Sequence, residues 1–319
     1  MNRFCTLFDA SHLTRGLALH QSLVETREEF LLLIYCFDDE AYDILEKMRL
    51  PSVRLVRLRD FETTALLGIK SGRTRAEYCW TCTPWVIRDA LDRFDLPEVT
   101  YIDADLYFFS GPSVLLAEFH ASEASVLITE HRYTPEYDQS KTSGIYCVQF
   151  VTFIRNDRGL AILEWWGTRC IEWCFARFED GKFGDQKYLD DWTTRFAGDV
   201  HVLEHVGGGV APWNVQQYEV TEGPRVNGVP VVFYHFHALK WWSTGHIDPS
   251  GGWYRITRAT RDLIYRPYAR ALERALERVR ALSPGFRLGL FERESGWRGF
   301  KKRLQRRMEG NYPVIPART

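Results

Sequence analysis

Val99-Thr100-Tyr101-Ile102-Asp103-Ala104-Asp105-Leu106 is the stretch on which the fold turns. Valine, threonine, tyrosine and isoleucine pack well on a pleated, half-buried surface. Here they run straight into two aspartates spaced i, i+2. In open α/β sheets, ligands bind beyond the carboxyl ends of the strands. Two like charges this close are costly unless a cation offsets them. A hard divalent ion accepts carboxylate and phosphate oxygens together. The stretch therefore predicts a central strand that ends in a cation site able to bridge to a diphosphate. A solvated acidic turn is the plain alternative for an Asp-x-Asp taken alone.

Upstream, residues 3–8 are apolar and β-prone, and residues 9–12 form a polar turn with Ser11 as a helix cap. Leu13, Leu17, Leu23 and Val24 then recur at helical spacing. Residues 30–37 are almost continuously apolar, as a buried parallel strand would be. A helix through Tyr42, Leu45 and Met48 and a short strand at 53–56 follow. This alternation argues for an α/β fold with a parallel sheet. Downstream, the pattern predicts a helix over 75–95, a strand at 125–129 and two apolar pieces around Gln149 within 144–153. A long helix over 157–178, a strand at 231–237 and an Arg-rich helix over 259–282 complete it. The Gly/Ser/Pro-rich loop at 243–252 marks a boundary. It divides residues 1–250, a catalytic domain, from residues 251–319, a helical and basic C-terminal extension.

Further chemistry-bearing residues follow in order. His235 and His237 sit i, i+2 on the late strand and share a face there. Imidazole suits Mn²⁺-like ions beside carboxylates, and either histidine fits. Lys240 follows as a charge partner for a diphosphate. Gly184-Asp185-Gln186 offers an acid and an amide at a helix start, or merely a cap. Gly207-Gly208-Gly209 permits close backbone approach or a flexible loop, and Trp213-Asn214 comes next. Arg73 and Arg75 begin the helix ahead of Asp-x-Asp, with Glu77 as an ion-pair partner.

Taken in this order, the elements resemble glycosyltransferases of the GT-A fold, a Rossmann-like mixed sheet flanked by helices. The nearest likeness is to the family 8 type, that of glycogenin and lipopolysaccharide galactosyltransferases, over roughly residues 3–242. The resemblance implies a transferase taking a sugar from a nucleotide-diphosphate donor, a UDP-sugar, with retention of configuration. It implies Mn²⁺ or Mg²⁺ held by Asp103, Asp105 and a late histidine, His235 or His237. It places the base near Thr6, Phe8 and Asp9, and the diphosphate near Lys240 and a basic residue ahead of Asp-x-Asp, Arg75 in preference to Arg73. Asp185 and Gln186 fall beside the sugar, and His131 and Arg132 on the acceptor side. Family 8 continues His-(Phe/Tyr)-x-Gly-x-x-Lys-Pro-Trp; residues 235–242 carry the lysine one position early and lack the glycine and proline. The acceptor class implied is a glycan or lipid-linked saccharide.

Composition narrows the alternatives. The 319 residues are 45% hydrophobic and 26% charged, with a formal net charge of −1. Nothing in that balance draws the chain to nucleic acid. Seven cysteines, an odd number set singly in apolar segments, fit a reducing cytoplasm better than a disulfide scaffold. Cys79-x-x-Cys82 and Cys170-x-x-x-Cys174 suggest packing thiols ahead of a zinc site. No signal-peptide pattern and no bilayer-length apolar run stand out. The stretch from Trp297 to Leu304 mixes aromatic and basic residues, and suits either peripheral contact with the inner face of a membrane or a solvated helix. Two rival functions are a metal-dependent nucleotidyltransferase, which would want a Gly-rich basic loop after the first strand, and a non-catalytic nucleotide-sugar-binding protein.

Overall fold

The computed structural model describes residues 1–292 together with 297, 301, 304 and 308. Trp297, Lys301 and Leu304 are exposed; the other residues of the aromatic-basic stretch lie outside the described residues. The fold is α/β. Seven strands form one sheet: β1 (Asn2–Phe8), β2 (Phe30–Cys36), β3 (Val53–Arg57), β4 (Glu98–Ile102), β6 (Val126–Glu130), β7 (Tyr146–Ile154) and β8 (Val200–Val202). Their order is β3-β2-β1-β4-β7-β6-β8. A separate pair joins β5 (Leu106–Phe108) to β9 (Phe233–His235).

The sheet is mixed, as the GT-A resemblance implied, and not all parallel as the alternation alone suggested. β1 runs parallel to both β2 and β4, but β7 lies antiparallel to β4 and to β6. A strand's own sequence does not encode its direction. Residues 146–154 form one nine-residue strand instead of two apolar pieces.

Both faces of the sheet are covered, which explains the unbroken apolar strands. Phe4, Phe8, Leu32 and Ile34 point into one core with α1 (Leu13–Thr26). Cys5, Leu7, Leu33 and Tyr35 point into the other. That second core is closed by α2 (Arg75–Arg93) and α3 (Asp157–Glu172), with Trp166 and Trp192 fully buried between them. α3 stops at Glu172, short of the expected 178.

The expected helix over 259–282 is present, running without a break from Arg258 to Leu282, but it widens by a π-helical turn near its start. Residues Arg261–Tyr265 make that wide turn, and α4 (Arg266–Leu282) continues from it. Pro267 has no N–H to donate, which suits a position just after the widened turn, where the regular bonding of the helix is already disturbed. α4 sends Tyr268, Leu272, Ala275 and Val279 into the same core as Phe4 and Leu17. The basic segment after the glycine-rich loop therefore shares the core of the sheet through this helix.

The entry to α2 anchors one wall of what becomes the cleft. Thr74 caps it: its hydroxyl accepts from Glu77 N, and the Glu77 carboxylate accepts from Thr74 N at 2.8 Å. The other Glu77 oxygen accepts from Ala176 N at 2.8 Å and ties down the segment after α3. Arg73 donates to the carbonyls of Cys170, Ile171 and Cys174 at 2.7–3.0 Å, closing the end of α3. Thr74→Ala is expected to lower stability by about 1 kcal/mol. Urea unfolding would show a reduced midpoint with an unchanged slope.

Candidate active site

β4 ends at Ile102, and Asp103 turns the chain: its N–H donates to Gln149 O at 3.1 Å, and its carbonyl accepts from Leu106 N at 3.2 Å. The chain then enters β5, which pairs antiparallel with β9 so that Leu106 faces His235. This register carries the imidazole to the two carboxylates. His235 Nε2 is 3.1 Å from Asp105 Oδ1 and 3.8 Å from Asp103 Oδ2. One ligand-type atom from each of the three residues falls within 4.8 Å of the others. His235 Nδ1 donates to the fully buried Gln149 Oε1 at 2.8 Å, which fixes the tautomer and leaves Nε2 for the carboxylates. Tyr101 OH donates to Asp103 at 3.0 Å.

The electrostatics follow from this crowding. Burial pushes the Asp103 carboxyl up from its ordinary value. Desolvation would raise the half-buried Asp105 as well, but its ion pair and hydrogen bond with His235 hold it below the usual carboxylate range. Burial alone would lower His235, yet the Asp105 and Asp103 charges lift it well above ordinary histidine. Asp185 is pushed up to about 8 by burial and by the neighbouring Asp103 charge. Two carboxylates and one oriented imidazole, poised around one point, are a donor set suited to a divalent cation.

The cluster lies on the wall of a cleft of about 660 Å³. Phe8, Asp9 and Arg75 line one side of it. Arg75 Nε lies 2.5 Å from Asp9 and its Nη2 2.7 Å from Asp38. Burial would raise the Asp9 carboxyl, but His12, Ser11 and Arg75 together hold it well below normal. Asp185 and Gln186 reach the cleft from the segment after α3, where Trp166 Nε1 donates to Asp185 O at 2.9 Å and Gln186 Nε2 donates to Ser143 O at 2.8 Å. His131 and His237 also line the cleft, and burial lowers them to about 3 and about 4. His237 sits beside His235, ring centroids 5.9 Å apart, outside the three-residue cluster.

Over 300 aligned residues the chain is 30% identical to YfnD, an uncharacterized protein of Bacillus subtilis (strain 168), covering 92% of this chain and 95% of YfnD. The chain belongs to the YfnD family. YfnF of the same organism, also uncharacterized, is 30% identical over 295 residues, covering 89% of this chain and 95% of YfnF. No protein-family model matches the sequence. Among solved structures, the apo form of the glycosyltransferase GlyE from Streptococcus pneumoniae TIGR4 superposes with a TM-score of 0.52 at 11% identity, covering 88% of this chain and 64% of GlyE. That likeness is one of fold, the GT-A architecture.

Other residues singled out in this YfnD-family sequence lie away from the cleft. Thr6 is fully buried within β1, behind Phe8. Lys240 is not among the cleft residues; it pairs with Asp248 in a short ribbon, its Nζ 5.8 Å from the Phe291 ring. Arg132 donates to the carbonyls of Gly208 and His205. The triple glycine meets protein: a Cβ on Gly207 would lie 2.1 Å from Pro230 O, and one on Gly208 2.6 Å from Leu203. The seven cysteines are free thiols. Among the described residues, Asp103, Asp105 and His235 form the one His/Cys/Asp/Glu group with metal-ligand spacing.

Gln149, Tyr101, Trp80, Tyr133, Trp253 and Tyr254 were not picked out by sequence. A glutamine between Val148 and Phe150 in an apolar strand was the available signal for the first. Asn214 belongs to the frame: fully buried, it accepts from Ala211 N at 2.9 Å and donates to His131 O at 2.8 Å and Gly209 O at 2.9 Å. Asn214→Ala strands Ala211 N and Gly209 O, while His131 O keeps its bond from Trp213 Nε1, and is expected to cost about 2 kcal/mol in this YfnD-family protein, read by chemical denaturation.

Proposed function

We propose that this YfnD-family protein is a GT-A glycosyltransferase that moves a sugar from a nucleotide-diphosphate donor, a UDP-sugar on the sequence resemblance, to a saccharide acceptor with retention. The observation that carries the reading is the meeting of Asp103, Asp105 and His235 at the end of β4, on the wall of the cleft. The donor set fits Mn²⁺ or Mg²⁺. Asp103, Asp105 and His235 would hold the ion, with His235 favoured over His237 because its Nε2 already faces both carboxylates. Bound there, the ion supplies charge neutralisation for the departing diphosphate.

The chain's own groups do the rest. Phe8 and Asp9 at the end of β1 border the space for the base. Arg75, with about three-fifths of its side chain exposed, offers a guanidinium to phosphate oxygens and takes the charge-partner role in place of Lys240. Asp185 and Gln186 lie on the wall beside the transferred sugar.

Metal-dependent release of UDP from a panel of UDP-hexoses, with EDTA as control, tests the reading. Asp103→Ala and Asp105→Ala are each expected to lower that turnover by at least about 100-fold. Full turnover in both variants, or turnover indifferent to EDTA, sinks the proposal. Release of pyrophosphate in place of UDP would point to nucleotidyl transfer. Gln149→Leu frees the imidazole to rotate, and its Mn²⁺ dissociation constant by calorimetry is expected to rise about 10- to 100-fold.

A further inference from the structure

Trp253 is 64% exposed, yet it lines the cleft and is followed by the buried Tyr254 and then, two residues on, the buried Ile256. Its turn is built. Ser250 is fully buried; its hydroxyl donates to Tyr254 O at 2.9 Å, and its carbonyl accepts from Trp253 N at 3.1 Å. The buried Asp248 carboxylate accepts from Gly251 N at 3.0 Å. Gly251 and Gly252 hold φ of 62° and 86°, the left-handed region that glycine occupies without strain. The turn thus presents a large aromatic ring to solvent on a defined support, where it buries little until something covers it.

The surroundings indicate what that is. Tyr254 packs edge-on against Tyr137 at 5.2 Å and lies 6.4 Å from His237, which is 5.9 Å from His235. An aromatic wall therefore runs from the carboxylate–imidazole cluster to Trp253. In the sheet, β1 with Phe8 and Asp9 lies on one side of β4, while β7 and β6 lie on the other. The loop between β6 and β7 supplies Tyr137 and Gln139, and Gln139 reaches the Tyr254 hydroxyl at 3.5 Å. The wall is thus on the side away from Arg75. Arg75 is the one arginine or lysine among the described residues lining the cleft; the remaining polar groups there include Gln139, Ser143 and Gln186. The amides and hydroxyls among these, beside an exposed aromatic face, match an uncharged polyhydroxylated ring with an apolar C–H face; Lys240 lies near the same turn but does not line the cleft.

We propose that Trp253 is a stacking platform for a neutral pyranose unit of the acceptor. The proposal rests on the glycosyl-transfer reading and adds to its saccharide acceptor that the unit received is an uncharged pyranose, and the place where it sits.

The test uses the full chain with Mg²⁺ and UDP, and millimolar methyl α- and β-glucosides and galactosides as probes. Saturation-transfer NMR reports protein contact with the pyranoside C–H protons, and calorimetry reports UDP binding. Wild type is expected to transfer saturation to at least one pyranoside. Trp253→Ala should cut that signal at least about tenfold, Trp253→Phe should retain most of it, and UDP affinity should stay within about twofold in all three proteins. No pyranoside contact in wild type overturns the proposal. So does an Ala variant that keeps the contact, or one that loses UDP binding in equal measure. Pyranoside contact that depends on Trp253 in a wild type unable to bind UDP supports the platform and removes the transfer reading, so the two failures are distinguishable.

Discussion

The pairing of Leu106 with His235 is the constraint on which the site depends. β5 and β9 are three residues each, but their register decides which side chain meets Asp103 and Asp105. A slip of one residue would turn β9 over and present Tyr234 or Phe236 instead. The aromatic residues on either side of His235 prevent this. Tyr234 is fully buried with its hydroxyl 3.1 Å from that of Tyr265, and the Phe236 ring stacks on Tyr268 at 3.7 Å. Tyr265 and Tyr268 come from the turn before α4 and from α4 itself. A helix far along the chain from Asp-x-Asp thereby locks the imidazole in place.

Gln149 connects that lock to the main sheet. Its carbonyl accepts from Asp103 N, and its side-chain oxygen accepts from His235 Nδ1. One residue of β7 thus fixes both the turn that spreads the aspartates and the face the histidine shows them. Such a connection needs β7 to lie beside β4, which the sheet order provides. The antiparallel direction of β7 is therefore part of the site as well as of the fold.

Much of this was legible in sequence, and the losses have physical causes. The apolar runs of β1 and β2 and the strand entering Asp103 read correctly because both faces of the sheet are buried, so each strand carries its own signature. Strand direction came only through the resemblance and not through the patterning, because it depends on partners. The two-residue spacing of His235 and His237 suggested a shared face, and both do face the cleft, but the strand ends at His235 and His237 stays outside the carboxylate cluster. Arg73 and Arg75 look alike in sequence; the helix cap at Thr74 separates them, sending one to the carbonyls of α3 and the other to the rim of the cleft. Thr6 and Phe8 share a face of β1, yet Phe8, at the strand end, reaches the cleft. Gln149 was passed over because its importance lies in contacts made at long range.

The close packing of the 207–214 loop has a consequence for how ligands would be received. Gly207 and Gly208 press against Pro230 and Leu203, and Asn214 knots the following residues to His131. Trp213 is the residue of this loop that lines the cleft, and the packed glycines and Asn214 behind it hold its ring in place. Association would then consume little conformational freedom on this side of the cleft. Discrimination among ligands would fall to the fixed part of the cleft wall, and any adjustment to the exposed rim that carries Arg75 and Trp253.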